Sequence, residues 1–351
     1  MEFDLDNLVR NNVRELKPYS SARDEYTSDG SSMVFLDANE SPYFNGINRY
    51  PDPHQRQLKS LLAVRYYLST ANILLGNGSD EVLDLIFRAF CEPYQDNIIT
   101  MPPTYGMYKV LAGINAIENR EVLLTKKFEL NVEKILESIN TKTKAIFLCS
   151  PNNPTGNSFS EKNIEYLLKN FHGLLVVDEA YIDFANRGGW LNRLGQFPNL
   201  VVTRTFSKAY GMAGLRLGAC YGSEEVIAVL NRIKPPYFVN ELTQQKALQM
   251  IQNTDLLKKQ VAEILTERDL MMQQLTKINF INDIYPTDAN FILVKVDDAD
   301  KRYREILKSG VVVRNRSTQP LCNNTLRFTV GTPVAVSYTH LRAHETERLI
   351  S

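Results

Sequence analysis

Lys208, in the run Arg204-Thr-Phe-Ser-Lys-Ala-Tyr-Gly-Met-Ala-Gly-Leu-Arg216, has the surroundings of a nucleophile. The apolar stretch before it, Asn199-Leu-Val-Val-Thr, reads as a buried strand that delivers the lysine at its carboxyl end. A lysine amine attacks a carbonyl only when its pKa is lowered, which desolvation or neighbouring cations can do. Ser207 and Arg216 are the hydroxyl and guanidinium that a phosphate group wants nearby. Together they predict a lysine that forms a Schiff base with a phosphorylated aldehyde, the chemistry of pyridoxal phosphate.

Three further apolar runs end in polar clusters. Lys144-Ala-Ile-Phe-Leu-Cys stops at Ser150-Pro-Asn-Asn-Pro-Thr-Gly156, and Gly173-Leu-Leu-Val-Val stops at Asp178-Glu-Ala-Tyr181. Ala71-Asn-Ile-Leu-Leu stops at Gly76-Asn-Gly-Ser-Asp-Glu81, directly before the helical pattern Val82-Leu-Asp-Leu-Ile-Phe. Continuous apolar strands alternating with amphipathic helices predict a parallel sheet covered on both faces. Ligands of such sheets sit at the carboxyl ends of the strands, where Asn153, Asp178 and Lys208 all fall.

Each residue then has a chemical task. A buried carboxylate favours a protonated ring nitrogen, and Asp178 suits that role. Asn153 and Tyr181 can donate hydrogen bonds to a ring oxygen. Ser79 and Asp80 open a helix whose free N–H groups and dipole attract a phosphate. Tyr105, in Met101-Pro-Pro-Thr-Tyr-Gly-Met-Tyr108, can stack on a ring face. Taken singly, these residues are turns, caps and loop aromatics. Their occurrence together, in this order, is what carries the reading.

The ordered set resembles the fold-type I pyridoxal-phosphate aminotransferases of the aspartate-aminotransferase superfamily. The outer motifs Leu36-Asp-Ala-Asn-Glu40, Arg49-Tyr-Pro-Asp-Pro53 and Leu326-Arg-Phe-Thr-Val-Gly-Thr332 resemble those of its histidinol-phosphate aminotransferase branch. The resemblance runs from about Val13 to Pro333. It implies an α/β fold: a large domain with a mainly parallel seven-stranded sheet covered by helices, and a small α+β domain. It implies Lys208, Asp178 and Tyr181 as catalytic residues. It also implies exchange of an amino group between histidinol phosphate and 2-oxoglutarate, giving imidazole-acetol phosphate and glutamate. A threonine-phosphate decarboxylase and an aromatic or broad-range aminotransferase share the core motifs and stay open as alternatives. A cofactor-binding regulator without turnover would need a separate DNA-binding module, for which there is no space before Tyr19.

The positioning elements must be assembled from 351 residues, more than a usual single core, so two domains are expected. The strand-rich region ends near Lys234-Pro-Pro-Tyr237. From Glu241 to about Leu275 the pattern is helical, with Leu256, Val261, Ile264 and Leu265 on its apolar face. Strand-like Asn290-Phe-Ile-Leu-Val, a helix around Lys301–Leu307, and the strands Val311-Val-Val and Thr325-Leu-Arg-Phe-Thr-Val follow. The expected division is 54–237 for the large domain and 238–333 for the small one. By resemblance, 1–53 joins the small domain or reaches a second subunit of a homodimer.

The formal charge is +0, which gives no electrostatic case for nucleic acid or an acidic membrane. No apolar run approaches membrane-spanning length, and the start Met1-Glu-Phe-Asp-Leu-Asp lacks the pattern of a secretory signal. A cytoplasmic enzyme is expected. The four cysteines lack a CxxC spacing; Cys149 and Cys220 lie in apolar runs and read as buried free thiols, and no metal site is expected.

Arg327 lies inside an otherwise apolar strand pattern, where a charge needs a partner such as a ligand anion. By resemblance, Arg327, Arg314, Tyr19 and Tyr50 form a pocket that takes either a phosphate ester or a carboxylate, with Asn153 beside it and Tyr50 given by the second subunit. The stretch 334–351, with His340 and His344, departs from the family's pattern and reads as a non-native tail replacing a last helix.

Overall fold

The structure is a computed structural model that describes residues 3–21 and 33–337. Seven strands form its main sheet: β1 (Ile73–Gly76), β2 (Asn97–Thr100), β3 (Glu118–Glu121), β4 (Thr143–Cys149), β5 (Leu174–Asp178), β6 (Leu200–Thr205) and β7 (Gly218–Tyr221). Their spatial order is β1-β7-β6-β5-β4-β2-β3. From β6 across to β3 every pairing is parallel, as expected. The exception is β7, the apolar run that contains Cys220, which runs antiparallel to both β6 and β1.

The inner strands are apolar throughout because both faces are covered. Ile146, Leu148, Leu175, Val177, Leu200 and Val202 point into one core. The alternate residues Ala145, Phe147, Leu174, Val176 and Val201 point into the other. Parallel register then aligns the strand ends: Cys149 pairs with Asp178, and Asp178 with Thr203. On the far side Gly218 is flanked by Gly76 and by Thr205, so the helix after β1 starts at the same edge as the loop after β6. A Cβ at Gly218 would lie 2.3 Å from Ser79 N, which is why glycine stands there.

A second sheet comprises β8 (Ile281–Ile284), β9 (Phe291–Val296), β10 (Arg314–Asn315) and β11 (Thr325–Thr329), in the order β10-β11-β9-β8 and wholly antiparallel. Met271 and Leu275 from one helix and Ile306 from another pack with Ile292, Val294, Leu326 and Phe328 in its core.

Two expectations need correction here. The helical stretch from Glu241 is two helices, Glu241–Gln252 and Thr254–Leu275. Asn253 breaks it, because its side chain accepts from Leu256 N and so caps the second helix instead of continuing the first. Val311-Val-Val is not a strand; pairing starts at Arg314. Val311 N donates to Ile306 O and Gly310 N to Leu307 O, with Gly310 at φ +86, so the valine amide closes the Ala299–Lys308 helix. Cys149 and Cys220 are free and buried, as read, and so are Cys91 and Cys322. Residues 333–337 are helical, and Val336 is buried in the core of the second sheet. His340, His344 and the rest of the expected non-native tail from 338 onward lie outside the described residues.

Candidate active site

The carboxyl edge of the main sheet holds a cavity of about 200 Å³ lined by Ser79, Asp80, Tyr105, Asp178, Tyr181, Ser207, Lys208 and Arg216. The predicted cofactor residues thus converge, with Asn153 joined to them through a 3.4 Å hydrogen bond from its amide to the Tyr181 hydroxyl.

Asp178 ends β5 and is 2% exposed. Its carboxylate accepts from the Tyr108 hydroxyl at 2.8 Å and from Ala180 N at 3.2 Å. Burial nevertheless dominates those bonds and pushes its pKa up to about 6. A cation beside it would favour its ionised form. Tyr108 was not predicted; its place on the first turn of Met107–Ile114, three residues after Tyr105, was the available signal. Tyr105 itself donates to Asp80 Oδ1 at 2.8 Å, which fixes its ring at the cavity wall.

Asp80 lies in the first turn of Ser79–Phe90, the acid position that suits a helix dipole. Gly78, at φ +88, precedes that helix, and a Cβ there would meet the Arg216 guanidinium at 2.7 Å. Arg216 is exposed in the single chain and reaches to within 4.0 Å of Asp80. Helix start, Ser79, Ser207 and Arg216 therefore bound one anion-seeking corner of the cavity.

Lys208 follows β6, and its Nζ lies 5.8 Å from the centre of the Tyr181 ring. Partial burial, then the Arg327 charge, hold its pKa below the usual lysine range, with Arg216 adding to them and Asp80 and Asp178 opposing. This is the direction a nucleophilic amine needs.

Arg327 reaches the site from β11. One of its terminal nitrogens donates to Asn153 Oδ1, and its guanidinium lies 5.0 Å from the centre of the Phe291 ring. Its Nε is buried without a hydrogen-bond partner among the described residues. Arg314 is its Cα partner across β10 and β11, so the two predicted arginines are neighbours. Tyr19 and Tyr50 are not brought to this cavity by the single chain. Tyr19 is 73% exposed and lines a separate cleft with Pro53 and His54. Tyr50 stacks on Tyr237 at 4.3 Å between ring centres.

Sequence reasoning also missed two charged features. Glu179, adjacent to Asp178, is buried and takes two hydrogen bonds from Arg204 at 2.9 and 2.7 Å, tying β5 to β6 beneath the cavity. Arg316 lies close enough to Arg314 and Arg327 for both to depress its pKa.

A lysine of depressed pKa facing a buried acid at the edge of a mainly parallel sheet defines a class of enzyme that handles carbonyls and amines. The family described as aminotransferase class I and II matches residues 25–339, and the chain belongs to it. Over 331 residues it is 60% identical to the histidinol-phosphate aminotransferase of Flavobacterium johnsoniae, covering 94% of this chain and 95% of that protein. Its fold is similar to the crystal structure of the histidinol-phosphate aminotransferase from Clostridium acetobutylicum, at TM-score 0.80 and 22% identity, over 86% of this chain and 92% of that one. It is similar also to the Sinorhizobium meliloti histidinol-phosphate aminotransferase in complex with pyridoxal-5'-phosphate, at TM-score 0.79 and 23% identity, over 86% and 84% of the two chains.

Proposed function

We propose that this chain is a pyridoxal-phosphate-dependent transaminase that interconverts histidinol phosphate and 2-oxoglutarate with imidazole-acetol phosphate and glutamate, in histidine biosynthesis. The observation that carries the substrate is the 60% identity, over 94% of the chain, to a protein named for that reaction. The cavity suits the cofactor on its own evidence: an anion-seeking corner, a buried acid in no ion pair among the described residues, and an amine of depressed pKa line the same space.

When bound, pyridoxal phosphate supplies an aldehyde and an electron-withdrawing ring. The corner formed by Ser79, Asp80 N–H, Ser207 and Arg216 would hold its phosphate. Asp178 would favour a proton on its ring nitrogen, as a carboxylate placed beside a cation does. Asn153 and Tyr181 would donate to its ring oxygen, and Tyr105 would cover a ring face. Lys208 Nζ would be the amine that binds the aldehyde and, when free, the base for the proton on the substrate's amine-bearing carbon. Arg327 and Arg314 would grip the far anion of the substrate, phosphate or carboxylate by turns.

The same reading makes 54–237 a large cofactor-binding domain and 238–333 a small substrate-closing one. It also gives a cytoplasmic homodimer in which Tyr50 of each chain, with Tyr19, completes a site. No helix among the described residues is long and apolar enough to cross a membrane.

The test is the visible absorbance of the cofactor-loaded protein before and after histidinol phosphate is added without any keto acid. A stoichiometric change to the spectrum of the aminated cofactor is expected. A spectrum that ignores histidinol phosphate but responds to glutamate would retain the transaminase and discard the substrate.

A further inference from the structure

We propose that Arg316 makes the anion site select a phosphate ester over a carboxylate, as a third cation beside Arg314 and Arg327. The inference rests on the substrate reading above. Arg314 and Arg327 are partners across β10 and β11, and Arg316 N donates to Thr325 O at 2.9 Å, so the ladder continues one pair past Asn315. Residues two apart on a strand share a face, which puts Arg316 on the side of the hairpin that carries the other two arginines.

Its surroundings agree with that geometry. Burial first, then Arg327 and Arg314, hold its pKa down to about 10. Tyr181, on the cavity wall, in turn feels the charge of both Arg327 and Arg316. Arg314, Arg316 and Arg327 form no ion pair with an acidic side chain among the described residues. Arg316 Nε, like Arg327 Nε, is shut away from water without a hydrogen-bond partner among the described residues.

Three neighbouring guanidiniums with no counter-charge are a costly arrangement that an anion relieves. The relief grows with the charge of the anion. A carboxylate carries a single negative charge, while a phosphate ester carries about 1.5 to 2 near neutral pH. Arg327 with Arg314 is sufficient for glutamate. The third cation adds most for the phosphate-bearing partner.

The experiment uses the cofactor-loaded Arg316→Gln and Arg316→Lys enzymes, each half-reaction followed separately with histidinol phosphate and with glutamate. For Arg316→Gln the KM for histidinol phosphate should rise by about 10- to 100-fold with its limiting rate nearly unchanged, while glutamate's KM moves by less than about threefold. Arg316→Lys should recover part of the loss, since it returns charge without the planar fork. Equal changes for both donors, or no change for either, would overturn the proposal. Inorganic phosphate as an inhibitor of the glutamate half-reaction gives an independent reading. Its inhibition should weaken by about tenfold in Arg316→Gln, as in loss of one charged hydrogen bond, and unchanged inhibition counts against Arg316. If the unsubstituted enzyme ignores histidinol phosphate, the assigned substrate falls, and the phosphate inhibition still decides whether Arg316 selects the anion.

Discussion

Asp178 sits at the end of a strand buried on both faces, and no side-chain cation touches it among the described residues. Its pKa is about 6 in the fold against 3.8 ordinarily, so the folded cofactor-free protein holds this proton more tightly than the unfolded chain does. The resulting stability is fully present below about pH 4 and is lost as pH rises through about 6, a change of roughly 3 kcal/mol at most. Chemical unfolding of the cofactor-free protein at a series of pH values should therefore show a decline across that window. Asp178→Asn should flatten it, because the amide has no proton to lose; an unaltered slope would mean that Asp178 is already ionised in the fold. The residue was legible in the sequence because it ends an apolar run in company with Asn153 and Lys208, which end two others. Tyr108 was not, since a tyrosine beside a helix start has many ordinary uses.

At the scale of elements, the site depends on β5 and β6 ending together. Glu179 and Arg204 join those ends, with Glu179 also accepting from Trp190 N at 2.5 Å. Removing one partner of a buried pair leaves a charge without its counterion and costs about 3 to 5 kcal/mol. Arg204→Met should lower the denaturant midpoint accordingly, and Arg204→Met with Glu179→Met should regain much of the loss. A fully additive double variant would show that the pair is not coupled. Both residues stand beside predicted ones in the sequence, yet their pairing was invisible. They lie 25 positions apart, and only the parallel register of two strands sets them face to face. The same limit hid the direction of β7: the apolar run around Cys220 marks a strand, and its reversal appears only in its pairing with β6 and β1.

The single chain leaves Leu36 90% exposed and Phe44 89% exposed, in the same segment as Tyr50. Exposed apolar side chains gathered in one stretch are costly in water and suit a subunit contact. Light scattering of the loaded enzyme should give about 80 kDa, two chains of 40.1 kDa each. A fully active species at the mass of one chain would discard the shared site and leave Tyr50 without its assigned role.

Local chemistry determined a good part of this protein. Apolar runs named the inner strands, because both faces of a covered sheet exclude water. The polar residues at the ends of those runs named the cofactor cavity, because a lysine, an acid and a glycine-opened helix occur together at the ends of strands of one sheet. Tertiary structure decided what depends on contacts distant in sequence. Strand order, the reversal of β7, the Glu179–Arg204 tie and the meeting of Arg327 with Asn153 across 174 positions are all of this kind. No local pattern encodes them, since each arises only when separate elements bury their faces against one another.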